Sequence, residues 1–254
     1  MKFKIHIVSQ LERLKEEIRL PEYILWWVMR AMMLFALIMT KRSGRPQMVW
    51  IMIGANLAVT FVVSLFSLIF PKKLFFGRIP FRVQTYIDIF VIAGSFVGHY
   101  VDLYRYEGIY DKALHVVSGF LTVFIGYELM KALLPKKELP KFWGAFGGFS
   151  FAFLVMILWE VFEFFSDFIL GNANNQGYMQ SFCDSVYVDG YFFFRMFGRG
   201  NAGAEQIPLL DTMIDLIAAV VGAVSALVIF LIFVKEKKET VQTEFEEEKE
   251  TETV

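Results

Sequence analysis

Long apolar runs separated by short polar stretches set the frame of this chain. Met48 to Phe70 carries no charged residue, and neither does Leu216 to Val234. At about 1.5 Å of rise per residue, each run crosses roughly 30 Å of hydrocarbon as a helix. The pattern predicts six spans, at 22–41, 46–70, 82–104, 111–134, 142–170 and 208–234. None shows the short polar–apolar alternation of barrel strands. Backbone groups in lipid need partners within their own segment, so the spans are read as helices.

Residues 1–21 follow another pattern. Ile7, Leu11, Leu14 and Ile18 recur at helical spacing among Lys and Glu, as in an amphipathic surface helix, and Pro21 marks the turn into the first span. The expected fold class is all-α. It is a polytopic membrane protein with one six-helix transmembrane domain at 22–234, a long external loop at 171–207 and a disordered Lys- and Glu-rich tail at 235–254. Trp26, Trp27, Trp50 and Trp143 lie near helix ends and read as interfacial anchors.

Lys and Arg set the expected orientation. Seventeen fall in the N-terminal segment, the loops after spans two and four, and the C-terminal tail, against seven in the opposite loops. Without the tail the count is still thirteen against seven. Both termini are therefore expected in the cytoplasm. A charged segment precedes the first span and no small-residue cleavage site follows, so no removed leader is expected.

Composition agrees with this frame. Of 254 residues, 56% are hydrophobic, and the mean hydropathy of +0.51 is too high for a soluble domain of this size. The net charge of -1 gives no footing for nucleic acid. Cys183 is the only cysteine, so an intrachain disulfide is excluded, and it reads as a lone thiol without a role.

Against this background, nine ionisable residues stand out: His99, Asp102, Asp111, His115, Glu160, Glu163, Asp167, Asp211 and Asp215. Four spans place them at one level, in the outer leaflet under the expected orientation. Within each helix they fall on one face, at i, i+3, i+4 or i+7. Charge at membrane depth is costly, so such residues usually face a bundle interior. Small residues continue the same faces, through Ser118, Gly119, Thr122 and Gly126 and through Ala219, Gly222 and Ala226. Gly94 with Gly98 and Gly144 with Gly148 add further pairs suited to close helix approach.

So many carboxylates in a low-dielectric site need protons or a cation. Two imidazoles with carboxylates suit Zn²⁺, Mn²⁺ or Fe²⁺, and carboxylates with water suit Mg²⁺. Asp111, His115, Glu160 and Glu163 are the expected ligands of a divalent metal, with His99 and Asp102 as further candidates. Asp215 and Asp211 are the candidate catalytic residues, read as further ligands or as the base. The plain alternative makes Asp111, Asp167 and Asp211 helix caps or solvated acids, and His99 a hydrogen-bonded interior histidine. Asp88 is expected to pair with Arg30 or Arg82, and Glu128 to reach the interface near Lys131. The aromatic-rich stretch 171–207 reads as a lid over the outer site, or as a plain external loop.

Three motifs carry a family resemblance. Tyr110-Asp111-Lys112-Ala113-Leu114-His115, followed by Gly119, resembles the Asp-Lys-x-x-His signature of VanZ-like membrane proteins, and more closely the YjdF-like inner-membrane family. Trp159-Glu160-Val161-Phe162-Glu163 resembles the paired-glutamate motif of that family. Asp211-Thr212-Met213-Ile214-Asp215, with Gly222-Ala223 after it, resembles its third motif, although Ala219 stands where Asn is frequent. The VanZ name implies a link with glycopeptide-antibiotic tolerance at the cell envelope. It implies no settled reaction.

The leading expectation is a multi-pass protein of a bacterial plasma membrane, a metal-dependent enzyme acting on a lipid-linked phosphate or ester. Its partners would be membrane lipids. The alternatives are a proton- or cation-coupled transporter and a non-catalytic membrane interaction or envelope-stress protein.

Overall fold

The computed structural model describes residues 2–45, 47–134, 139–170 and 208–233. Among them the chain is all-helical. The order is α1 (Lys2–Glu17), α2 (Leu20–Arg42), α3 (Gln47–Val59), α4 (Val62–Ile69), the short α5 (Phe75–Arg78) and α6 (Arg82–Val91). A π-helical segment (Ile92–Tyr100) and a 3₁₀ turn (Leu103–Tyr106) follow, then α7 (Glu107–Leu133), α8 (Lys141–Leu170) and α9 (Pro208–Phe233). The readings of the 171–207 loop, of Cys183 and of the 235–254 tail lie outside the described residues.

Four helices are long and apolar enough to cross a membrane: α2, α7, α8 and α9. The pair α3 and α4, bent by 44°, makes a fifth if counted as one span. The protein is thus a multi-pass membrane protein with four to five spans by length and composition. The third predicted span, 82–104, which would bring the count to six, is α6 running directly into the π segment, with Val101 N–H bonded to the Phe96 carbonyl five residues back.

The outward faces are apolar, as lipid requires. Ile157, Leu158, Val161 and Phe162 of α8 and Ile217, Val221 and Val228 of α9 are exposed. Inside, α7, α8 and α9 pack through small residues. A Cβ at Gly119 would fall 2.0 Å from the Ala219 carbonyl oxygen, and one at Gly222 would fall 1.9 Å from that of Val116. Gly126 and Gly148 let α7 and α8 approach closely as well, with a Cβ at Gly148 falling 2.3 Å from the Val123 carbonyl oxygen. Val123, Ala152, Met156, Ala219, Ala223 and Ala226 form the core of this trio.

At the other end, α1 is tied to the loop beneath the bundle. Arg13 donates to the carbonyls of Gly77, Arg78 and Ile79 at 2.8, 3.1 and 2.7 Å, and Glu17 accepts from Phe81 N–H at 2.7 Å. Trp26 departs from its expected role as an interfacial anchor. It is 1% exposed, packs with Met29 and Val63, and donates its indole N–H to Thr85 Oγ1 at 2.9 Å. Trp27 and Trp143 are exposed.

Candidate functional site

The glycine contacts between α7 and α9 determine what meets above them. Gly119 lies one turn below His115, and Gly222 about two turns below Asp215. With the backbones in contact there, the first turns of α7 and α9 face each other, and α8 closes the third side.

Asp215 is the centre of the arrangement and is 1% exposed. Lys112 Nζ lies 2.7 Å from its Oδ1 and donates to its Oδ2 at 2.8 Å. The same ammonium donates to Asp211 Oδ1 at 2.5 Å and to Asp111 Oδ2 at 3.0 Å. His115 Nε2 stands 3.5 Å from Asp215 Oδ1 and 3.8 Å from Asp111 Oδ1, and its Nδ1 is 4.0 Å from Glu160 Oε1. Asp215 Oδ1 is buried between these two nitrogens, with the Lys112 ammonium in ion-pair contact.

The structure therefore joins Asp111, His115, Glu160, Asp211 and Asp215. Potential ligand atoms of Asp111, His115 and Asp215 all lie within 4.8 Å of one another. Glu163 stands at the edge, within electrostatic range of Glu160, Asp111 and Asp215, but its Oε1 accepts from Trp159 Nε1 at 2.7 Å. His99 and Asp102 stand apart from the cluster, around a separate cavity with Arg45 and Tyr104. The Asp167 side chain lies outside the described residues.

Lys112 is the member of the cluster that the spacing argument left out of the candidate site, although it stands in the motif at residues 110–115. Placed at the edge of a span, it reads as a loop charge that sets orientation. Its position next to Asp111, on a helix that meets four more carboxylates, is the signal that could have identified it. Among the described residues, five carboxylates (Asp111, Glu160, Glu163, Asp211 and Asp215) share this end of the bundle with one ammonium. Protons or a further cation must balance the remainder.

Comparison with known proteins places the chain without naming a reaction. An uncharacterized protein of Thermotoga maritima is 30% identical over 110 residues, covering 41% of this chain and 54% of the relative. The chain thus spans about half the length of that relative. No solved structure matches. The family model described as "Predicted membrane protein (DUF2238)" matches residues 24–236, which include every member of the polar cluster. This chain belongs to that family of predicted membrane proteins, DUF2238.

Proposed function

We propose that the cluster at the joined ends of α7, α8 and α9 binds a divalent cation and serves hydrolysis or transfer at a lipid-linked phosphate or ester. The setting is a bacterial plasma membrane, with six spans, both termini cytoplasmic and the site in the outer leaflet. The Lys and Arg distribution supports that orientation. The unbroken helical run from Arg82 to Tyr100 supports the span that brings the count to six. The likeness of residues 110–115 to the VanZ-like signature supports a role at the envelope.

One observation carries the reading. Asp111, His115 and Asp215 bring ligand atoms within 4.8 Å of one another, and the buried Asp215 Oδ1 is met by the Lys112 ammonium at 2.7 Å and by His115 Nε2 at 3.5 Å, so a positive charge already sits where an ion would. Two carboxylates and an imidazole suit Zn²⁺, Mn²⁺ or Fe²⁺ better than Mg²⁺. Glu160 lies on the far side of His115, its Oε1 4.0 Å from Nδ1, near enough to stabilise a positive charge there but too far for a direct hydrogen bond. Such an ion supplies Lewis-acid polarisation of a phosphoryl or carbonyl oxygen and a more acidic bound water. Of the two roles read for Asp215, ligand and base, its place beside Asp111 and His115 favours the ligand role. Lys112 holds Asp211 and is the cation that can meet negative charge developing on a phosphate oxygen.

Elemental analysis of protein purified without a chelating tag is expected to show stoichiometric Zn, Mn or Fe. His115→Ala and Asp215→Asn should each lower occupancy by about tenfold or more. Wild-type protein that stays metal-free in micromolar Zn²⁺, Mn²⁺ and Fe²⁺ would overturn the proposal.

The lysine-centred contacts favour a second reading, a metal-free proton relay in a coupled transporter. Lys112 bridges three carboxylates directly. A relay needs a route onward, however. Glu128 is paired with Lys131 at 3.0 Å, and Asp88 is tied to Gln84 and Arg30. Lys112→Met separates the readings. Removing the competing ammonium should tighten divalent-metal binding if the site holds an ion. If the site is a relay, the variant should stop proton-coupled flux in proteoliposomes and leave metal uptake at zero.

A further inference from the structure

We propose that a second cavity, beside the acid cluster, binds a zwitterionic phosphate–amine headgroup of the phosphoethanolamine type. The cavity has a volume of about 350 Å³ and is lined by Arg45, Val49, Gly98, His99, Asp102 and Tyr104. It lies between the α2–α3 connection and the end of the π segment. π-Helical turns recur at functional sites.

Its lining has the right chemistry on two sides. Arg45 Nη1 donates to the His99 carbonyl at 2.5 Å, which fixes the guanidinium and uses one of its five N–H donors. The rest of that fork matches a phosphate. Asp102 is exposed and holds φ at +71°, a left-handed conformation rare outside glycine that often marks functional positions. Its carboxylate matches an ammonium group, and Tyr104 lines the same cavity. A purely anionic headgroup would leave Asp102 opposed, and a purely cationic one would oppose Arg45.

Tyr104 links this cavity to the cluster. Its ring centre lies 4.6 Å from that of His99 and 5.5 Å from that of Tyr110, the neighbour of Asp111. Its hydroxyl is within electrostatic range of Asp111 and Glu163. Gly98 makes the seat, since a Cβ there would fall 2.4 Å from the ring. A headgroup in the cavity would stand one aromatic ring away from the carboxylates. Casting it as the substrate rests on the proposed enzymatic reading, but its binding does not.

The test uses the full chain in detergent, with native mass spectrometry and thermal melting. The probes are dihexanoyl phosphatidylethanolamine, dihexanoyl phosphatidylglycerol and free O-phosphoethanolamine. Wild-type protein is expected to bind and be stabilised by the ethanolamine lipid over the glycerol lipid. Arg45→Gln should weaken that binding by about tenfold, the loss expected of a charge-assisted contact. Asp102→Asn, at an exposed position, should remove the preference for ethanolamine over glycerol and serves if Arg45→Gln does not fold. Stabilisation by the free compound equal to that by the lipid would support the phosphate–amine chemistry and assign it to a soluble ligand. Equal binding of both lipids to wild-type protein, or unchanged binding in Arg45→Gln and Asp102→Asn, would overturn the proposal. His115→Ala should keep the headgroup response, so loss of metal binding and loss of this site are read separately.

Discussion

Gly222→Val will leave little monodisperse protein in detergent, and Gly119→Val will do the same. At each position a Cβ falls 1.9–2.0 Å from a backbone carbonyl oxygen of the facing helix. A flexible side chain could turn away from such a contact, but a helical carbonyl cannot, so α7 and α9 must separate. Overpacking in soluble cores usually costs about 1–3 kcal/mol through side-chain adjustment. Here the whole helix interface moves, and the small residues that hold it lose their close contacts, which drive association in lipid. Gly54→Ala is the matched control. Its Cβ would meet only Leu37 side-chain carbons at 3.6 and 3.9 Å, which is ordinary packing. Alanine also removes the entropic cost of a mid-helix glycine, roughly 0.5–1 kcal/mol. Melting curves in one detergent should therefore show Gly54→Ala at or above wild type. A Gly222→Val protein that melts with wild type would mean that the α7–α9 contact is not the one described. Gly222→Ala, which brings the same Cβ without the two further methyls of valine, ties the interface to the site. It should lower metal occupancy, because Asp215 rides on α9 and His115 on α7.

How much of this was legible beforehand depends on what each feature draws upon. The apolar runs gave the helices, because lipid fixes their length and permits few other structures. The small-residue stripes gave the α7–α9 and α7–α8 faces, and with them the meeting of Asp111, His115 and Asp215. Spacing along one helix failed where the helix changed form. The π segment winds more widely than an α-helix and ends in a left-handed Asp102, so His99 and Asp102 turn to their own cavity with Tyr104. Glu163 shares the face of Glu160, yet Trp159 one turn earlier holds it. The break at Thr60–Phe61 could not be read from a run of 46–70 that has neither proline nor glycine there. The backbone groups it frees are satisfied by side chains of other helices.

Those side chains predict the second large effect. Arg30→Met is expected to destabilise the protein by roughly 3–5 kcal/mol, the usual result of removing one partner from a buried charged network. Arg30 is 6% exposed, with its guanidinium 4.1 Å above the Phe61 ring. Its Nη2 donates to the Thr60 carbonyl at 2.5 Å, satisfying the end of α3 where the helix stops. Gln84 does the same for the start of α4, its Oε1 accepting from Val63 N–H at 3.0 Å while its Nε2 donates to Asp88 Oδ1 at 2.6 Å. Asp88 is 0% exposed, its Oδ2 has no hydrogen-bond partner, and Arg30 Nη2 lies 3.9 Å from it. That distance is too long for a hydrogen bond but short enough for attraction of about 4 kcal/mol at an effective dielectric of 20, before desolvation is counted. Two roles of Arg30 thus overlap, and a double-mutant cycle separates them. Asp88→Asn keeps the acceptor that Gln84 uses and removes the charge. If the ion pair matters, Arg30→Met with Asp88→Asn should melt above Arg30→Met alone, with coupling of roughly 1–3 kcal/mol. The double variant should still fall short of wild type, because the Thr60 carbonyl remains without its donor. A cycle with no coupling would leave Arg30 as a cap on the broken helix, with the Asp88 carboxyl held by Gln84 alone.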